Sequence, residues 1–133
     1  EISRGLDVLA LQPSDYLSAN EIAAASLPEL NGIVNAQTQQ IVEWPMVPVV
    51  ARAYLDQLLR ENTIDSAQAA ELVDALDRAE ALLGGGNGSR RSTTRDLNNL
   101  ADDFSDAAGG YTGMSGTRYA ALAETLEGIA DSL

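Results

Sequence analysis

Apolar residues recur three and four positions apart through most of the chain beyond residue 46, the spacing that gathers side chains on one face of an α-helix. The first stripe is Val47, Val50, Ala51, Tyr54, Leu55 and Leu58, predicting a helix from Met46 or Val47 to about Asn62. Pro48 falls in its first turn, where a missing N–H is no loss. The cap signal Asp65-Ser66-Ala67-Gln68 precedes a second stripe, Ala69, Leu72, Leu76, Ala79 and Leu83. Gly84-Gly85-Gly86-Asn87-Gly88 ends that helix, because glycine leaves helices readily. A third stripe, Leu97, Leu100, Phe104 and Ala107 or Ala108, follows a cap at Ser92, Thr93 or Thr94. Beyond a second glycine-rich loop, GGYTGMSG, comes a fourth: Tyr119, Leu122, Leu126, Ile129 and Leu133. Short loops make sequential helices antiparallel, so residues 46–133 are expected to form two helical hairpins packed as a bundle.

The first third of the chain is patterned differently. Ile2, Leu6, Val8 and Leu11 around Arg4 and Asp7 predict a strand over Glu1–Leu11, stopped by Pro13. Ser18-Ala19-Asn20-Glu21 is a capping box, in which the Ser18 hydroxyl takes an orphan amide and Glu21 reaches back. A short helix through about Ala25 follows, ended by Pro28. Residues 29–44 carry three Gln, two Asn and a Gly with little periodicity and read as an irregular connector. The expected fold class is mainly α: an antiparallel bundle of about four helices preceded by one N-terminal β-strand and a connector. It divides into 1–13 (strand), 14–45 (short helix and connector) and 46–133 (bundle).

At 133 residues and 14.0 kDa the chain is large enough for one core without disulfides or metals. Its aromatics are only Tyr16, Trp44, Tyr54, Phe104, Tyr111 and Tyr119, so that core must be mostly Leu, Ala, Val and Ile. The formal charge is −12 and all eight cations are arginine. Such a balance disfavours nucleic acid and anionic lipid, which are bound through clustered Lys and Arg. No stretch is apolar enough for membrane insertion.

Histidine, cysteine and lysine are all missing, which removes the imidazole that titrates near pH 7, the thiolate nucleophile and the Schiff-base amine. Catalysis would have to rest on carboxylates, hydroxyls, Tyr or Arg. GGGNGSRRS is no phosphate loop: it lacks the lysine and follows a helix rather than a strand. Arg90 and Arg91 beside it are expected near helix ends, offsetting the acidic surface. Asn87-Gly88-Ser89 matches a glycosylation sequon. Asp102, Asp103 and Asp106, with Asp74 and Asp77 on the preceding helix, are the candidate metal ligands, yet DDFSD lacks the glycine and bidentate Glu of a calcium loop. Paired carboxylates can also cleave glycosidic bonds, given a cleft and one raised pKa. No cofactor is implied. For contact with another protein the candidates are Ile2, Leu6, Val8 and Leu11 on the strand, Tyr111 and Met114 in the second glycine loop, and Trp44. Trp44 is also placed to lock the connector onto the bundle.

Arg4-Gly5-Leu6-Asp7-Val8-Leu9-Ala10-Leu11, followed by Gln12-Pro13, resembles the inner-strand signature of LVIVD-repeat β-propellers. The continuation, PSDYLSANEIAAA, then VEWP, then VVARAYLDQLLR, is similar to the helical tail that follows the last propeller strand in some secreted members of that family. The resemblance implies that Glu1 is internal to a longer polypeptide and that Glu1–Leu11 pairs within or against a blade. It brings no catalytic motif. The function expected is therefore a non-catalytic, protein-contacting domain of an extracellular, periplasmic or cell-surface protein, held by the remainder of its parent chain or by another subunit. Two other readings stand beside it: a self-standing building block of an extracellular filament or multi-subunit complex, and a carboxylate enzyme or calcium-binding module.

Overall fold

A computed structural model describes residues 9–28 and 42–133, and within them the protein is built from five helices without a strand. These are α1 (Ala19–Ala25), α2 (Pro48–Arg60), α3 (Ser66–Leu83), α4 (Arg90–Ala108) and α5 (Met114–Ser132). Each start has a local cause. Both halves of the capping box are made at α1: Ser18 Oγ accepts from the Glu21 amide, and a Glu21 oxygen accepts from the Ser18 amide at 2.7 Å. Pro48 opens α2. The Asp65 carboxylate accepts from the amides of Ala67 and Gln68 at the head of α3. Asp65→Ala is expected to cost about 1 kcal/mol, the usual worth of such a cap, measured by urea unfolding. Gly113 (φ 75°, ψ −144°) turns the chain into α5 through backbone space that side chains rarely enter.

The four long helices form a ring in which α2 lies against α3 and α5, and α4 against α3 and α5. Cross-links at the helix ends show that neighbours are antiparallel. Arg52 near the start of α2 reaches Asp77 and Glu80 late in α3, and Arg78 late in α3 pairs with Asp96 early in α4. At the start of α4, Arg90 donates to the carbonyl of Leu133, the last residue. Arg118 early in α5 bonds Gln57 and Glu61 at the end of α2. The core inside this ring holds Leu58, Leu72, Leu76, Leu97, Phe104, Tyr119, Leu122, Leu126 and Ile129, all but sealed from solvent. At one end the phenol hydroxyls of Tyr119 (2.6 Å) and Tyr111 (2.9 Å) both donate to the carbonyl of Thr63, tying the α2–α3 turn to the α4–α5 turn. The two rings stack with centroids 5.1 Å apart.

Several sequence expectations need correction. Glu1–Val8 lie outside the described residues, and so does most of the connector, but Leu9–Pro13 are described and form no strand. Leu9 and Leu11 are instead 89% and 68% exposed, with no second strand among the described residues to pair their backbone. The cap of α4 is Ser89, whose Oγ accepts from the Ser92 amide, rather than Ser92, Thr93 or Thr94. Helix therefore begins one turn early and carries Thr93 into the core. On α3 the last buried leucine is Leu82; Leu83 faces solvent.

Candidate interaction surface

Helix α1 is too short to persist alone, so what holds it defines the surface it helps to form. Ala24 packs with Val50 and Ala53 of α2 in a small apolar cluster beside the main core, and Tyr54 touches both. Asn20 donates to Asp56 at 2.8 Å. The strongest tie is Glu21, whose two oxygens accept from Arg60 at 2.7 and 3.0 Å, a fork that matches guanidinium to carboxylate. Arg60, assisted by the Ser18 amide, holds the Glu21 carboxyl down at about 2 against the desolvating effect of its burial.

Two concavities flank this helix pair, and both are lined by Trp44 and Tyr54. The smaller, about 120 Å³, is also lined by Glu21, Ala24, Val50, Ala53 and Gln57. The larger, about 420 Å³, is walled by Glu43, Met46, Ala121, Glu124 and Thr125. Burial, reinforced by the charge of Glu124, pushes the Tyr54 phenol above its ordinary value. Met46 is seated against α5 because residue 128 is glycine: a Cβ there would fall 2.5 Å from both Cβ and Cγ of Met46. Gly128→Ala is therefore expected to lift the Trp44-Pro45-Met46 segment, red-shifting the emission of the sole tryptophan. The overpacking cost and the gain in helix propensity are of similar size, so the unfolding free energy should move by no more than about 1 kcal/mol.

The expected contact residues fare unequally. Trp44 is 41% exposed and lines both concavities. Leu11 is exposed, whereas Ile2, Leu6 and Val8 lie outside the described residues. Met114 is exposed at the head of α5. Tyr111 is 41% exposed, while its hydroxyl donates to the carbonyl of Thr63 and its ring stacks on Tyr119.

Asp102, Asp103 and Asp106 are exposed on α4, and among the described residues no three acidic side chains converge as metal ligands would. Asp77, from the second acidic cluster, is bonded to Arg52. Asn87 sits in the exposed loop between α3 and α4. Periodicity concealed the parts played by Tyr54, Glu43 and Glu124. Tyr54 counted as one more position in an apolar stripe, and its polar tip was the available sign that it sits where core meets water.

The described part is thus a helical bundle with a short helix strapped to one edge and aromatic-lined recesses beside the strap. No family model matches the chain, and neither curated proteins nor solved structures yield a match.

Proposed function

We propose that this chain is a non-catalytic protein-contact domain of an extracellular, periplasmic or cell-surface protein, the helical companion of a β-propeller. The observation that carries the reading is where large apolar side chains meet water. Of the eleven found exposed among the described residues, seven precede α2, including Leu9, Leu11, Tyr16 at 87% and Trp44. Exposed apolar side chains of this kind, in a chain otherwise rich in carboxylates, are what a protein partner covers. The resemblance of Arg4–Leu11 to an inner propeller strand supplies the partner's class: a sheet edge that Ile2, Leu6 and Val8 would extend.

Hydrogen exchange tests this. Amides of residues 9–17 and 42–46 are compared in the 133-residue chain and in the polypeptide as purified from its natural source. Slower exchange in the natural material is the expected result. Equal exchange in the two would overturn the reading, because nothing would then cover this face.

A further inference from the structure

The larger recess combines features that an apolar contact alone does not require. Its walls include an indole, a phenol and a thioether (Trp44, Tyr54, Met46), and two carboxylates, Glu43 and Glu124, stand at the same cavity of about 420 Å³. Among the described residues neither carboxylate is within ion-pair reach of an arginine, whereas Glu21, Glu61, Asp77, Glu80 and Asp96 all are. Glu124 acts on the recess directly, since its charge helps to push the Tyr54 phenol up. The Met46 wall is held in place by its close approach to Gly128.

Aromatic faces attract cations through their quadrupole, and paired carboxylates complete the attraction. A guanidinium suits this lining better than a compact ammonium. It is flat enough to stack on an aromatic ring, is weakly hydrated, and presents a fork of donors to a carboxylate. The net charge of −12 adds a long-range field of the right sign.

We infer that the Glu43–Trp44–Tyr54–Glu124 recess is a receptor for an arginine side chain presented by the protein partner. The inference deepens the contact-domain reading and rests on it, but the two fail separately: exchange protection reports whether a partner covers the face, whereas the recess can be titrated without any partner.

The probe is N-acetyl-arginine amide, followed by Trp44 fluorescence. The expected result is a saturable change in the millimolar range, weakened by added salt and absent with N-acetyl-leucine amide. Glu124→Gln, an exposed position outside the core, is expected to weaken binding about fivefold, the worth of one nearby charge in a watery site. Glu43→Gln should act in the same direction. Circular dichroism confirms that both variants remain folded. A response to the leucine amide equal to that of arginine, or an arginine response unchanged by both substitutions, would overturn the inference. Tighter binding of tetramethylammonium than of the arginine amide would overturn the choice of guanidinium.

Discussion

Tyr119→Ala is expected to lower the unfolding free energy by about 3–5 kcal/mol, the range for truncating a large aromatic in a packed core. Tyr119 is 2% exposed, its ring lies between Phe104 (centroids 5.9 Å apart) and Tyr111, and its hydroxyl bonds the Thr63 carbonyl. Truncation removes the ring's contacts, leaves a void where four helices converge and takes away one of two donors to Thr63. Tyr119→Phe isolates the last contribution and should cost only about 1 kcal/mol, because the Tyr111 hydroxyl still satisfies that carbonyl. Urea unfolding of the two variants separates the effects. A Phe variant as damaged as the Ala variant would mean that the hydrogen bond, and not packing, secures this end of the bundle.

Acid should loosen α1 before the bundle. Glu21 has a carboxyl pKa of about 2 in the folded protein, against an ordinary value of 4.5. A depressed folded-state pKa contributes stability that is fully present above the ordinary value and is lost as pH falls from 4.5 through 2. Arg60 is about one-third exposed, with a side-chain accessibility of 34%. Solvent screening therefore reduces the contribution to about 1–2 kcal/mol. Glu21→Gln should cost that amount at pH 7 and little at pH 2. Because α1 has seven residues and no independent stability, the loss should appear locally, as faster amide exchange over 19–25, before the long helices respond. If α1 exchanged equally fast at pH 7 in the variant and the parent, Ala24 packing and the Asn20–Asp56 bond would be what secures it.

Local chemistry was legible where a residue acts on its near neighbours. The Ser18–Glu21 box, Pro48 at the head of α2, the Asp65 cap and the glycine stops at both later loops all declare themselves within four residues, and the structure places them as expected. The four stripes identified most of the large core side chains for the same reason, helical period and burial following one geometry, but missed Ile64, Leu82 and the buried alanines beside the stripes, among them Ala75, Ala101 and Ala123. The start of α4 was ambiguous, since Ser89, Ser92, Thr93 and Thr94 are all cap-competent and only tertiary packing decides that Thr93 goes inside. The recess was harder still. Glu43, Trp44 and Tyr54 meet Glu124 only because α5 returns alongside α2, a juxtaposition that periodicity within one helix does not encode. The Glu21–Arg60 fork, spanning 39 positions, was invisible for the same reason.

The shared acceptor at Thr63 also bears on how long the folded state lasts. Helix pairs α3–α4 and α4–α5 close over single short loops, so their contacts are local and can form early. Tyr111 and Tyr119 reach Thr63 across 48 and 56 residues, and closure of the ring between α2 and α5 carries a larger entropic barrier. Interactions completed after the transition state slow opening far more than they speed folding. The two phenols are therefore expected to act as a clasp on the unfolding rate: Tyr119→Phe, which removes only the hydroxyl, should unfold faster while refolding at nearly the parental rate.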